Sequence, residues 1–473
     1  MIKNIPTPQK YSDLRLRVVW LPLLLLLILP QCKSKHTAIA KLDEATRFAG
    51  AYQPPGVGSF PASAAKVNKW ITDLDEQQIR AHAWDIWESI NTQAADSMPI
   101  WENWFSGYEV FNAPTSLEVR KHGRDYEFPS QFFHTSAHVS IPKDPAERPV
   151  SFNRFSPELA RYLVSHRLTS ARVLDSINQS FAPGTPIAAM QVNTSADSVA
   201  PNSIALKPVF QFIRGDTLTA FPYWAGVSPQ TTTNFNNPTP DTWRQCVVID
   251  PTGQHPPGST VCISCNGEPA RNWPVVSLRD FYHIKITKAE ADSFSVFANT
   301  SGDDVGRHNN SDSASVADLV KAGNYALLVA MHVTSKETIN WTWQTFWWSP
   351  DTKNPVFGAD RPATISKPWN NYNMRTAYYM VAPAEAITNG EPNIQFNPYL
   401  ETNLSGAIPG NLLGSNEKIT WYGNFSNCMS CHRMAAWGNT VYIPNGFINS
   451  SDSLFFAAKT KTDFLWSIPT RAH

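Results

Sequence analysis

Two stretches, Tyr325-Ala326-Leu327-Leu328-Val329-Ala330-Met331-His332-Val333 and Trp341-Thr342-Trp343-Gln344-Thr345-Phe346-Trp347-Trp348, decide how this chain folds. The first is apolar, the second aromatic, and both are far shorter than a membrane-spanning helix. They read as strands buried on one or both faces. Met331 and His332 are consecutive, so on a strand they point to opposite faces. Further strands fall upstream. Ile204, Leu206, Phe210 and Phe212 alternate, with Pro208 marking an edge or a bulge, and Cys246–Ile249 and Phe281–Ile286 follow.

Helical signals lie outside this centre. Asp75 caps a helix, with Gln78 three residues on and Ile79, Ala83, Ile86, Trp87 and Ile90 on one face. Ser156-Pro157-Glu158 starts a second, whose apolar face carries Leu159, Tyr162, Leu163, Ala171, Leu174 and Ile177. Thr287-Lys288-Ala289-Glu290 is a capping box for a short third. The expectation is an α+β fold with a β-rich central region, peripheral helices and long loops. Pro/Asn/Thr/Ser-rich connections near 225–242, 299–315, 349–372 and 391–420 are longer than compact domains ordinarily use unless they build a site.

Composition narrows the function. The 473 residues hold 39 Lys+Arg and 39 Asp+Glu, so net charge is zero, and there is no basic cluster. That excludes an electrostatic footprint for nucleic acid. With 37 Pro, 22 Gly and 17 Trp, the chain is a loop-rich globular protein, and neither a coiled coil nor a disordered one.

The first residues are a targeting segment. Lys3, Lys10, Arg15 and Arg17 precede an uncharged run from Val18 to Gln31, too short to span comfortably, so it reads as an export signal. Cys32 follows directly and resembles the lipidated cysteine of bacterial lipoproteins, although Gln31 stands where a small residue is expected. Ordinary cleavage elsewhere and an uncleaved anchor are the alternatives. The expected organisation is a signal over 1–32, a tether over 33–63, a main α+β region over 64–390 and a last region over 391–473. The mature chain would lie in the periplasm, held to the membrane only through a lipid on Cys32.

Chemistry concentrates near the C-terminus, in Asn427-Cys428-Met429-Ser430-Cys431-His432. This is C-x-x-C-H, the attachment pattern of c-type haem. Two thiols three positions apart reach the two vinyl groups of one porphyrin, and the next residue, His432, ligates the iron. Export agrees with it, because bacterial haem c attachment takes place outside the cytoplasm. A Cys428–Cys431 redox pair or half of a zinc site are the competing readings. The first lacks a βαβ context, and the second lacks a nearby Cys/His pair.

With Ala435-Ala436 after the motif, Asn340-Trp341-Thr342-Trp343-Gln344-Thr345-Phe346 before it and Thr462-Asp463-Phe464-Leu465-Trp466-Ser467 at the end, the chain resembles the exported proteins called "cytochrome c family". In these a long N-terminal portion precedes a single C-terminal CxxCH. The resemblance implies one covalent haem c on Cys428, Cys431 and His432, and no substrate. Small soluble cytochromes c differ, having CxxCH near the start of the domain and a ligand Met well downstream. Here Met434 is only two residues beyond His432, so any distal ligand comes from earlier sequence: Met331, His332, Met374 or Met380.

Other candidates are weaker. Cys262-Ile263-Ser264-Cys265-Asn266 copies the CxxC spacing with Asn266 in place of His, so it is a second haem site only with an unusual ligand. A disulfide from Cys246 to Cys262 or Cys265 across adjacent strands, or a local Cys262–Cys265 bridge, is the better reading. His134 and His138 share a face on either a helix or a strand, and a structural role outweighs a metal site. Asp303-Asp304 and Ser311-Asp312-Ser313 lack calcium-loop spacing. The Trp341–Trp348 ribbon reads as core first, haem wall second and sugar platform third. Three functions compete. Periplasmic electron transfer to or from an unidentified redox protein leads, followed by a haem oxidoreductase or peroxidase-like enzyme with a distal pocket. A ligand- or partner-binding lipoprotein with a redox-reporting haem is third.

Overall fold

The computed structural model describes residues 50–113, 117, 124, 126, 149–180, 203–226, 243–292, 320–379, 395–401, 405–408, 419–422, 427–438, 456 and 459–473. The expected export signal, Cys32, His134, His138, Met380, Asp303-Asp304 and Ser311-Asp312-Ser313 lie outside the described residues. Among the described residues no helix is long and apolar enough to cross a membrane. Glu44–His473 forms one compact unit.

The fold is α+β with a β-rich centre, as expected. In chain order come α1 (Ala64–Thr72), α2 (Glu76–Ile90), β1 (Phe105–Ser106), α3 (Gly107–Phe111), β2 (Val150–Ser151), β3 (Arg154–Phe155), α4 (Pro157–Ser165) and α5 (Ala171–Ser180). Then follow β4 (Ile204–Ile213), β5 (Thr219–Tyr223), β6 (Gln245–Ile249), β7 (Thr260–Cys265), β8 (Glu268–Val276), β9 (His283–Lys285), β10 (Tyr325–Ser335), β11 (Thr342–Trp348) and β12 (Tyr372–Thr376). Last are β13 (Ser405–Ile408), β14 (Ile419–Tyr422), α6 (Cys428–His432), β15 (Ala436–Trp437), β16 (Thr460–Lys461) and α7 (Ser467–Arg471).

The central sheet runs β1-β3-β4-β10-β11-β12, with β2 also on β4 and β9 also on β10, and all its pairs are antiparallel. Its middle is the pair of stretches quoted first, with Met331 opposite Phe346 and His332 opposite Thr345. Pro208 is in register beside Met331, yet it sits between Phe210 and Val209, which pair with β2, and Leu206 and Ala205, which pair with β3. Its missing N–H therefore falls in the gap between two short partner strands.

The two faces of this sheet differ in kind. On one, the row Met331–Phe346–Met374 lies under α2, with Trp87 stacked on Phe346 at a ring-centroid separation of 4.1 Å and Trp84 at 5.7 Å. Asp75 caps α2 through the Gln78 N–H, and the helix buries Ile79, Ala83, Ile86, Trp87 and Ile90 as its periodicity predicts. On the other face the next row reads Lys207–His332–Thr345–Arg375. The chain end packs here, through Trp343, Phe155, Ala377 and Met429 in a second apolar cluster.

Three expectations change. The helix begun at Ser156-Pro157 is two helices, α4 and α5, because Arg167 adopts a left-handed φ of 56° between them. The supposed tether is packed over its described part: Phe60 is 2% exposed in the main core, and the Ala62 N–H donates to Glu337. Phe396, Tyr399 and Leu400, beyond the expected limit at 390, belong to the main core.

The cysteines also resolve. Cys246 on β6 is bonded to Cys265 on β7, and Cys262 is an exposed free thiol. These strands are not adjacent, because β8 lies between them in a four-stranded sheet ordered β5-β6-β8-β7. Asn266 and Gly267, with φ of 50° and 75°, form the two-residue turn of the β7–β8 hairpin, where Cys265 pairs with Glu268. Asn-Gly is the preferred sequence for such a turn. Asn266 is thus a turn residue, and the expected alternative of a second haem here falls away.

Candidate haem-attachment site

Asn427 starts the site. Its side chain caps α6 by accepting the Ser430 N–H at 2.9 Å, and its amide donates to the Tyr379 carbonyl at 2.9 Å. The cap winds Cys428–His432 into a helical turn, and a spacing of three on a helix puts Cys428 and Cys431 on one side. Both hold thiols rather than a disulfide. Cys431 is buried and Cys428 partly so. Burial first, then the Glu401 carboxylate and Cys431, pushes the Cys428 thiol well above its ordinary value. An attacking redox thiol needs the opposite shift.

The turn is fastened from below. Ala436 and Trp437 pair antiparallel with Lys461 and Thr460, and the Thr462 N–H donates to the Ala435 carbonyl at 2.9 Å. Trp437 also donates to Asp175 at 2.7 Å. These bonds bring the Thr462-Asp463-Phe464 segment under His432, whose Nδ1 donates to the Phe464 carbonyl at 2.8 Å. A carbonyl oxygen only accepts, so the ring proton is on Nδ1 and the Nε2 lone pair is left for a ligand. Burial lowers the His432 ring to about 4, the Phe464 carbonyl opposing it and the neighbouring His332 and Lys207 adding to it. The imidazole is therefore neutral at pH 7, the state that ligation requires. It stays partly accessible and lies on Trp343, with ring centroids 4.5 Å apart.

Phe464 owes its position to a buried ion pair. Asp463 and Phe464 both take left-handed φ values, 49° and 68°, which cost roughly 1–3 kcal/mol each and persist only when overdetermined. Here the Asp463 carboxylate accepts from Lys336 Nζ at 2.6 Å and from Trp341 Nε1 at 3.1 Å. Lys336 is fully buried at the β10–β11 hairpin and also donates to the Ile339 carbonyl. Burial pulls the Lys336 ammonium down and the Asp463 carboxyl up, each against the attraction of its partner. On the other side of the hairpin, Glu337 is held by His82 at 3.0 Å and by Ser335. The turn between the two central strands is thus locked to α2 on one side and to the segment under His432 on the other.

The residues suit a covalently held haem: two unbridged thiols on one side of a capped turn, and a neutral imidazole whose outer nitrogen is fixed by a carbonyl. Among the described residues no group of three or more His, Cys, Asp or Glu side chains comes together to hold a metal ion. The zinc alternative therefore finds no ligand set among them.

Of the four candidate distal ligands, Met331 and Met374 are fully buried in the main core under α2, on the face away from His432. Among the described candidates only His332 lies on the face that carries Trp343 and α6; it is bonded to Glu401 at 2.6 Å. Lys336 and Glu401 had no part in the sequence-based site, whereas Trp343 belongs to the ribbon read there second as a haem wall. Trp343 and Phe464 stood inside the quoted segments, but spacing alone does not pair them with His432. No family model, curated protein or solved structure matches this chain.

Proposed function

We propose that the chain is an exported monohaem c-type cytochrome that transfers single electrons in the periplasm, anchored through lipidated Cys32. The observation that carries this reading is the His432 Nδ1–Phe464 hydrogen bond, which turns the ring nitrogen of a CxxCH turn outward as a neutral donor. Cys428 and Cys431 would hold a haem covalently, as thioethers formed from its two vinyl groups. His432 would ligate its iron, and Trp343 supplies an apolar wall beside the imidazole. A bound haem supplies reversible one-electron exchange at iron, which needs no substrate pocket. Asp463 and Lys336 keep Phe464, and hence His432, in place.

The test is haem staining of a denaturing gel, with a pyridine haemochrome spectrum, on protein matured alongside haem-attachment machinery. Stain that survives denaturation at one haem per chain, with reversible one-electron titration, is the expected result. Absence of covalent haem would overturn the reading.

A further inference from the structure

Resting on that reading, we infer that His332 on β10 would be the second protein ligand to the haem iron, alongside His432 on α6. Three observations converge. First, register leaves His332 alone among the described candidates: Met331 and Met374 face α2, whereas His332 lies in the row Lys207–His332–Thr345–Arg375, beside the row of Trp343. His332 and Trp343 are diagonal neighbours on that face, and Trp343 in turn touches His432.

Second, His332 is half-satisfied. Its Nε2 is bonded to Glu401 Oε1 at 2.6 Å, while its Nδ1 is buried with no hydrogen-bond partner. A buried polar atom left unpaired is destabilising, and a ligand at that nitrogen would remove the cost.

Third, the carboxylate is itself held. Glu401 Oε2 accepts the Asn397 N–H at 2.6 Å, and the Asn397 amide donates to Thr345 Oγ1 at 2.8 Å, beside His332 across β10–β11. A carboxylate on one imidazole nitrogen orients the ring and strengthens the other nitrogen as a donor, the usual arrangement behind a metal-bound histidine. Glu401 is also near enough to Cys428 to act on its thiol, so the pair belongs to the same neighbourhood as the attachment turn. Glu401 is accordingly a positioning residue acting through His332.

Ligation by two imidazoles would favour electron transfer over peroxide chemistry, which needs an open iron position.

The experiment uses the full-length holoprotein, first shown to carry covalent haem, with absorption, low-temperature electron paramagnetic resonance and near-infrared magnetic circular dichroism. The wild type is expected to be low-spin with bis-histidine signatures and no far-red methionine–iron band. His332→Ala is expected to become high-spin with haem still attached, and added imidazole to restore the low-spin spectrum. His332→Met, a fuller side chain should the alanine variant fold poorly, is expected to gain the methionine band. Glu401→Gln is expected to keep the low-spin state and raise the midpoint potential. A high-spin wild type, or a low-spin spectrum unchanged in both His332 variants, would overturn the ligand while leaving the attachment reading intact. A wild type without covalent haem would remove both.

Discussion

The chain contains the CxxC spacing twice, and the two copies do different things. In Cys262–Cys265 it lies on strand β7, where residues three apart face opposite ways: Cys262 is exposed and Cys265 is drawn into a disulfide with Cys246. In Cys428–Cys431 it lies on a capped helical turn, where three apart means the same side. The residue after the second Cys follows suit. Asn266 makes the turn of a hairpin, and His432 presents a ring nitrogen. A spacing becomes chemistry only through the secondary structure that carries it.

The sharpest way to break this contrast is substitution at both copies. Cys428→Ser with Cys431→Ser should remove all covalent haem from a stained gel, whereas Cys262→Ser should leave the stain unchanged. Equal loss from both would mean that the helical turn has no special role.

Next in size is the ion pair under His432. Asp463→Ala strands the Lys336 ammonium in the interior, and breaking such a pair costs about 3–5 kcal/mol. Chemical denaturation should register that loss, and the haem spectrum should shift as the Phe464 carbonyl drifts. Pairing it with Lys336→Met should recover most of the stability but not the spectrum.

The strand copy yields a smaller effect. Cys246→Ser with Cys265→Ser opens a loop of 19 residues, for which the chain-entropy cost is about 3 kcal/mol. Denaturation should show it, and haem content should stay the same, because the apolar cluster around that disulfide shares no residue with the one that holds Met429.

The smallest effect is a pH dependence in that same sheet. Burial raises the Asp250 carboxyl, but bonds from Thr252 and His255 outweigh it and hold it well below the usual carboxylate range. A depressed acid contributes stability that is present above its unfolded value, near about pH 4, and lost as pH falls through the folded one. The melting temperatures of wild type and Asp250→Asn should therefore differ at neutral pH and converge in acid. A gap that widens in acid would contradict the sign.

Much of the fold was legible because its signals are local. The α2 cap and stripe, the start of α4 at Ser156-Pro157 and the two central strands each declare themselves within a few residues. The Asn266-Gly267 turn signal was equally local, but the neighbouring CxxC drew the reading toward cysteine chemistry. The expected strand over Phe281–Ile286 is only His283–Lys285, because Phe281 stacks on Trp348 at a centroid separation of 4.0 Å. The attachment triad was legible as a motif, while its supports were not. His432 meets Phe464 across 32 residues, His332 meets Glu401 across 69, and Lys336 meets Asp463 across 127. Such contacts arise from sheet register and from how the chain end returns to it, and they leave no periodicity to read.

The most direct test of the central claim is the intact mass of the full chain, denatured after maturation in a periplasm with haem-attachment machinery. The expected mass is that of the processed chain plus one haem, the addition being lost in full when Cys428 and Cys431 are both serine. A wild-type mass without that addition would contradict it, and the capped turn at Cys428–His432 would then need another chemistry.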